Sequence, residues 1–431
     1  MQKGKEKVEF NEPGGVYTYF QGIKNKLLVP IILNSLVCSA QATTESQYKI
    51  DFESEIHRYY ETTAQDSFHQ YINQLHSLNL DALKFKHELD ALRSILKILE
   101  IPESSQVLVF SNTSLQLSKI NPHNPRAIFF KDDLYLGYVP GGFIEILAID
   151  PERGVIPYEF DLPRDGNNKL SNIRRSDRCM RCHATEKTFY APGLLMGSVV
   201  PVHGGGTLDT LNKKTPSHET PYPQKFGGWF VNSNSIFDQH WGNSFGFIRK
   251  GEIQKKIIIF PNQEITRNHL LHSSDPIALL VLEHQIGFTN LCIQIQYLKR
   301  EISISPTDEK KVNLMDQLCE NLLDYCFFVD EPLLPSPLPK HNSSFAREFE
   351  HDSKRGAGFT KLKILNLQTR LFETRCSFML GSPSFQGLPN DFKSSFLRKM
   401  LIRLNQDRDE NKVQEFSEPE KNLIRSTINS W

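Results

Sequence analysis

This 431-residue sequence has no excess of charge of either sign, because lysine and arginine together number 50 and aspartate and glutamate also number 50. A chain with no net charge lacks the basic surface that binds nucleic acid or an anionic membrane, so we expect no nucleic-acid partner. The sequence also has no P-loop, no H-E-x-x-H motif and no G-x-G-x-x-G motif after a strand. The nucleotide-binding and zinc-protease classes that depend on these motifs are therefore not indicated.

Long apolar runs are also scarce. The N-terminal run Leu27–Val37 follows Lys24 and Lys26 and is followed by Ala40–Ala42, a small-x-small pattern. A short apolar run with positive residues before it and small residues after it is typical of a secretory signal and is too short to span a membrane. We therefore expect cleavage near Ala42, a periplasmic or otherwise extracytoplasmic location, and no membrane span in the mature chain.

Cysteine is scarce, with 7 residues in the chain, and two of them form its single C-x-x-C pattern. From Cys179 to His183 the chain reads C-M-R-C-H, which is the attachment motif of c-type haem. Each thiol can add to one vinyl group of the porphyrin, and the histidine then ligates the iron as its proximal ligand. With 14 histidines present, about 0.004 such matches are expected by chance. We predict one covalent haem c held by Cys179, Cys182 and His183.

The other cysteines give less support to the two common alternatives. A zinc site would need a second close Cys or His pair, and a thioredoxin-like C-x-x-C would lie within a βαβ pattern. Whether the cysteines of the expected mature chain pair as disulfides or stay as buried thiols is open. Cys319 and Cys326 are about 10 Å apart along one helical face, which is too far for a bridge. Besides the motif, the mature chain would have Cys292, Cys319, Cys326 and Cys376.

The apolar pattern changes twice along the chain and predicts an α+β fold. After the signal peptide region 1–42, residues 43–105 have helical periodicity, residues 106–261 contain short β-branched and aromatic runs, and residues 262–431 return to helical periodicity. The haem motif thus lies in a central strand-rich region flanked by helical segments. A small all-helical cytochrome c fold, with its motif near the start, is not expected. We expect the haem to lie between the strands and the C-terminal helices.

Individual elements follow from local patterns. Strands are predicted at 107–110, 126–130, 134–139, 143–149, 155–160, 197–202 and 227–231. Helices are predicted within 50–101, from Pro276 towards 297, and over 308–329, 390–405 and 417–429. Residues 203–224, rich in Gly, Pro, Thr and Lys, are predicted to form a long surface loop.

The chain resembles a family of uncharacterised, exported single-haem proteins described as cytochrome c domain-containing. The resemblance covers most of the expected mature chain and is most specific at the haem motif and at the Gly-Gly-Trp segment 227–229. Further matching stretches are Ser111–Gln116, Pro125–Phe129, Tyr138–Gly142, Ala191–Gly193, His240–Asn243, Val281–Gln285 and Thr369–Phe372. Trp241 stands where the family usually has Met, which argues against a methionine ligand there. The resemblance implies covalent haem, and it implies no particular reaction.

The sixth iron ligand is open from the sequence. His240, in a family-like segment, is the first candidate, and His218, with a neighbouring carboxylate at Glu219, is the second. His284 interrupts an apolar helical pattern, and Met196 lies in an apolar run; both are more often core residues. An empty sixth position is the remaining alternative.

The ligand at this position decides between two function classes. With protein ligands on both sides, the iron exchanges electrons only, so the first hypothesis is an exported monohaem c-type cytochrome with a redox partner protein that the sequence does not identify. With an open distal site, the protein is a peroxidase-like haem enzyme or a small-ligand sensor, with His218 and Glu219, or His240, as acid–base candidates. Whether the protein is an enzyme is therefore open, and a structural role for the haem protein is a third reading.

Overall fold

The structure is a computed structural model of the chain. It describes residues 48–77, 88–112, 114–162, 170–212, 215–232, 239–257, 266–272, 274–351, 358–405 and 416–430. The predicted signal peptide region 1–42 and its cleavage site near Ala42 lie outside the described residues. From Tyr48 onward, the described residues belong to one compact unit.

Strands and α-helices are the main elements of this unit. The strands are β1 (Val107–Val109), β2 (Arg126–Phe130), β3 (Leu134–Tyr138), β4 (Ile144–Asp150), β5 (Gly154–Asp161), β6 (Ser171–Arg175), β7 (Val199–Pro201), β8 (Thr207–Thr210), β9 (Trp229–Phe230), β10 (Ser244–Arg249) and β11 (Glu252–Ile257). The α-helices are α1 (Ser67–Ser77), α2 (Glu88–Ile98), α3 (Met180–His183), α4 (Pro276–Ile304), α5 (Glu309–Cys326), α6 (Ser344–Phe349), α7 (Pro383–Gln386), α8 (Asn390–Asn405) and α9 (Glu418–Asn429).

Seven strands form an antiparallel sheet in the order β6-β5-β4-β3-β2-β1-β9. Strands β2 to β6 are sequential neighbours, which is the arrangement that short turns between consecutive strands produce. Strands β3 and β5 are buried along almost their whole length, because both faces of the sheet are covered. Two small hairpins, β7-β8 and β10-β11, stand outside this sheet.

Helices cover the two faces of the sheet. On one face Phe68 of α1 packs against Tyr158 of β5, with ring centroids 4.7 Å apart. On the other face Tyr135, on β3, lies close to Thr289 of α4. The two tyrosines pair with adjacent residues of β4, whose side chains point to opposite faces. The sheet is therefore the middle layer between the N-terminal helices and α4.

Helix α4 is the main helix of the core. Its N-cap is Asp275, whose side chain accepts the amide of Ile277, and Pro276 occupies the first turn. The helix is long and apolar enough to cross a membrane by length and composition, and 89% of its most apolar window is buried inside this protein, as in a core helix. The absence of a membrane span in the mature chain stays a prediction.

The predicted α+β class, with a strand-rich centre between helical segments, is confirmed, and a small all-helical fold is not indicated. The sequence did not predict the polar strand β6 or the exposed hairpin of β10 and β11. The predicted loop 203–224 contains β8, because Thr207–Thr210 pairs with β7. These strands lack the buried, alternating apolar residues on which strand prediction depends.

Candidate functional site

The C-x-x-C-H motif forms a helical turn at the surface. A short 3-10 turn over Asp177–Cys179 leads directly into α3. Met180 is buried and anchors the turn in the core, whereas Cys182 is exposed and Cys179 is half-buried. Both cysteines are free thiols. The two sulfur atoms are thus presented from one turn of backbone, with Cys182 at the solvent edge.

A buried carboxylate fixes the start of this turn. Glu159 of β5 accepts hydrogen bonds from Arg174 at 2.6 Å, from Ser176 at 2.9 Å and from Arg178 at 2.9 Å. Burial alone would raise the pKa of Glu159, and these three donors together outweigh it and lower the pKa. Because Glu159 is on the central sheet, it joins the segment before Cys179 to the rigid core.

His183 has a fixed orientation. Its Nδ1 lies 2.9 Å from the carbonyl oxygen of Gly193, and a carbonyl can only accept, so Nδ1 carries the proton. Burial lowers the pKa of His183 to about 4, and Arg126 lowers it further, while the bond to Gly193 opposes this shift. The ring is therefore neutral at physiological pH, with its lone pair on Nε2.

These groups fit the predicted haem. Metal-ligating histidines usually donate the other ring N–H to a backbone carbonyl or carboxylate, as His183 does to Gly193. The thiols of Cys179 and Cys182 are both free to form thioethers. Burial raises the pKa of Cys179 to about 11, so the half-buried thiol is protonated before attachment. The residues that would hold the group are Cys179, Cys182 and, through Nε2, His183.

The motif packs against the α4 side of the sheet. Arg126 of β2 and Glu145 of β4 form an ion pair of 3.0 Å beside it. This pair lies over Gly137 of β3, where an added Cβ would be 3.2 Å from the Glu145 carboxylate. A glycine in a central strand leaves room for such a close approach. The surface next to His183 therefore has a charged pair packed closely over the backbone of β3.

The second distal candidate, His218, is buried in an aromatic cluster. Its Nδ1 lies 3.0 Å from Nδ1 of His284, whose Nε2 lies 2.8 Å from the hydroxyl of Ser377. Its ring lies 4.1 Å from that of Tyr325 and 4.8 Å from that of Phe328. The Nε2 of His218 is buried without a hydrogen-bond partner. One ring nitrogen is thus hydrogen-bonded to His284, while the other is buried and makes no hydrogen bond.

His284 has a structural role and no nitrogen left for iron. Both of its ring nitrogens are engaged, one by His218 and one by Ser377. Burial lowers the pKa of His284 to about 3, so it is neutral. It therefore belongs to a satisfied buried network, and its chain neighbour Glu283 binds Lys225.

The first distal candidate, His240, is buried beside a tight turn. Its Nδ1 accepts the amide of Gly242 at 2.8 Å, and its ring meets that of Phe226 edge-on at 5.6 Å. Burial lowers the pKa of His240 to about 4, and the charge of Lys255 adds to the effect. His240 is therefore a neutral, oriented histidine. The described contacts of His183 include a hydrogen bond neither to His240 nor to His218.

The other residues singled out from the sequence are either packed against neighbouring side chains or exposed. Met196 is buried in the core, and His203, at the start of the predicted loop 203–224, meets Phe245 edge-on at 5.3 Å. Glu219 is exposed, whereas His218 is buried and bonded to His284, so no hydrogen bond joins the proposed acid–base pair. The four cysteines whose pairing was open are buried free thiols: Cys292, Cys319, Cys326 and Cys376.

Residues 242–246 read G-N-S-F-G, which matches the G-x-S-x-G of nucleophile elbows. In such elbows the serine lies on a strand-to-helix turn, but Ser244 is buried at the start of β10 and donates to the carbonyl of Gly242. Among the described residues, no group of three or more His, Cys, Asp and Glu side chains is arranged to hold a metal ion.

No protein-family model matches the chain, and no characterised protein or solved structure is significantly similar to it. The resemblance drawn from the sequence therefore stays a prediction, and function is inferred from the site itself.

Proposed function

We propose that the protein is an exported monohaem c-type cytochrome that exchanges electrons with a partner protein. The observation that carries this proposal is the bond between Nδ1 of His183 and the Gly193 carbonyl, next to two free thiols at C-x-x-C spacing. A histidine held in this way has its Nε2 lone pair ready for a metal.

Each residue of the motif has a separate role. Cys179 and Cys182 provide the sulfur atoms for the thioether bonds, and His183 provides an axial nitrogen. When bound, the haem iron supplies reversible one-electron transfer between its ferric and ferrous states. Glu159 and Gly193 keep the turn and the imidazole ring in place. The exposed position of Cys182 supports electron exchange with a partner that docks at the surface.

The alternative function is a peroxidase-like haem enzyme or a sensor with an open distal site. The observation in its favour is the buried Nε2 of His218, which has no hydrogen-bond partner and is supported by His284. A neutral imidazole of this kind can serve as an iron ligand, as a base or as a contact for a small ligand. The distal roles of His218 and His240 are therefore part of the proposal to be tested.

The test of haem attachment is expression of the full chain in a host that exports and matures c-type cytochromes. The pyridine haemochrome spectrum of the purified protein should have the band of haem with two thioether bonds. Cys182→Ala should shift this band to that of a single thioether, and a double Cys179→Ala/Cys182→Ala variant should lose covalent haem. Cys319→Ala, a buried thiol outside the motif, is the matched control and should keep it. Haem retained covalently by the double variant would overturn the assignment.

The coordination state separates the two function classes. A low-spin ferric spectrum with no binding of carbon monoxide or peroxide supports electron transfer, because both axial positions are then filled by protein. His218→Ala and His240→Ala are compared, and the variant that becomes high-spin identifies the distal ligand. A high-spin wild-type protein that oxidises a reductant with peroxide would support the enzyme instead. Removal of residues 1–42 should leave the product in the cytoplasm without haem.

A further inference from the structure

His183 and Gly193 are linked in both directions. The amide of Gly193 donates to the carbonyl of His183 at 2.8 Å, and the ring Nδ1 of His183 donates to the carbonyl of Gly193 at 2.9 Å. The orientation of the imidazole therefore depends on the position of one peptide unit, ten residues further along the chain. Anything that holds Gly193 also holds the ring.

The peptide after Gly193 is held by one side chain of α4. The carboxamide oxygen of Asn290 accepts the amide of Leu194 at 2.8 Å, and its nitrogen donates to the carbonyl of Leu194 at 2.9 Å. Asn290 is 7% exposed, so these bonds are shielded from water. A carboxamide is the side chain that can satisfy a backbone donor and a backbone acceptor of one residue at once.

The segment is tight on its other sides as well. The amide of Val155, at the start of β5, donates to the carbonyl of Pro192 at 2.9 Å. A Cβ added to Gly193 would lie 2.8 Å from both the Asn290 oxygen and the Thr188 methyl group. The segment Ala191–Leu194 is therefore confined between the sheet, α4 and the haem motif. Asn290 bonds both the amide and the carbonyl of one residue in it, Leu194.

We propose that Asn290 is a positioning residue for His183: by clamping Leu194 it holds the Gly193 carbonyl that orients the imidazole. Its consequence for haem depends on the proposed function. A donated Nδ1–H bond makes an imidazole a more basic ligand, and more basic ligands stabilise ferric iron. The long helix α4 thus sets the electronic character of a ligand that lies 107 residues earlier in the chain.

The first experiment uses the protein without haem. In the wild type, ¹⁵N spectra of the His183 ring should show the proton on Nδ1, and the Leu194 amide should be protected from hydrogen exchange. Asn290→Ala should give a mixture of the two ring tautomers and at least a tenfold faster exchange at Leu194. Gln294→Ala is the matched control, because Gln294 is also a buried carboxamide and lies one turn further along α4. It should leave both signals unchanged.

The second experiment uses the haem-loaded protein. Asn290→Ala should shift the reduction potential to a more positive value, because the weakened Nδ1–H bond makes His183 a less basic ligand. Asn290→Asp, which keeps an acceptor for the Leu194 amide and loses the donor, should give a smaller change and guards against misfolding of the alanine variant. Gln294→Ala should have the wild-type potential.

The outcomes distinguish this inference from the proposed function. If the wild type carries no haem, the proposed function fails, and the ring tautomer and the Leu194 exchange still test the clamp. If haem is attached but Asn290→Ala and Asn290→Asp keep the wild-type tautomer, exchange and potential, the positioning role is overturned and the proposed function stands.

Discussion

Lys225 and Glu283 form an ion pair of 2.5 Å in which both side chains are almost completely buried. Lys225 also donates to the carbonyl of Ser217 at 2.8 Å, whereas Oε1 of Glu283 is buried without a partner. Burial raises the pKa of Glu283, and the nearby ammonium group opposes that shift. The pair joins the segment before β9 to α4, directly beside the hydrogen-bonded residues His218 and His284.

Breaking this ion pair should destabilise the fold strongly. Lys225→Met leaves a carboxylate buried alone, and a loss of about 3–5 kcal/mol in the free energy of unfolding is expected. The double variant Lys225→Met/Glu283→Leu should recover at least half of that loss, because no charge is then buried. Urea unfolding measures both. Glu61→Gln, which breaks the exposed pair with Arg58, is the control and should cost less than about 1 kcal/mol. Equal losses in the buried and exposed pairs would contradict the argument.

Acid should destabilise the haem-free protein between about pH 6.5 and pH 4. Burial lowers the pKa of His240 to about 4 and that of His284 to about 3, whereas unfolded histidines take up protons near pH 6.5. In this window the unfolded chain binds more protons, so stability falls as pH falls, by about 1.4 kcal/mol per pH unit for each such histidine.

The histidine responsible can be identified by substitution. His284→Phe, which suits the aromatic surroundings, should reduce the slope of unfolding free energy against pH by about 1.4 kcal/mol per unit. His123→Gln, at an exposed position, is the control, and His284→Phe should reduce the slope by more than this substitution does. A wild-type stability that is independent of pH over this range would refute the assignment of neutral, buried histidines.

Gly154 should not tolerate a side chain. Its φ is +77°, and an added Cβ would lie 2.4 Å from the carbonyl of Pro192, the residue before Gly193. Gly154→Ala should therefore cost more than the roughly 1 kcal/mol of a positive-φ alanine and should expose the Val155 amide to exchange. Gly251→Ala separates the two effects, because Gly251 has φ +81° with nothing within 4 Å. Similar losses for both variants would show that the close approach to Pro192 has no cost.

Thiol reactivity should follow exposure in the reduced, haem-free protein. Iodoacetamide should modify Cys182 first and Cys179 more slowly, because Cys179 is half-buried and its pKa is about 11. Cys326 and Cys376 are buried and should react only after unfolding. Peptide mass spectrometry after brief labelling gives the order. Rapid labelling of Cys376 in the folded protein would contradict the described core.

The central sheet was largely predictable, because β2, β4 and β5 are apolar runs ended by turn residues, and a buried sheet needs such runs. Strand β6 was not, since Ser171–Arg175 is polar and is recruited to the edge by pairing with β5. The motif itself was readable from local spacing. The residues that support the motif could not be predicted. Asn290 lies 96 residues from Leu194, and no pattern in the sequence links residues that only the fold brings together.

The same limit applies to the buried histidines. A neighbouring carboxylate suggested Glu219 as the partner of His218, but the partner in the fold is His284, 66 residues away. Local sequence thus identified which residues could carry chemistry, while their pairing depended on long-range contacts.

The intact mass of the exported protein tests the central claim most directly. The account predicts the mass of the processed polypeptide plus one haem, with the added mass retained on the peptide that contains Cys179–His183 after denaturation and proteolysis. Export into a compartment with working haem-maturation machinery, followed by recovery of the bare polypeptide mass, would contradict it.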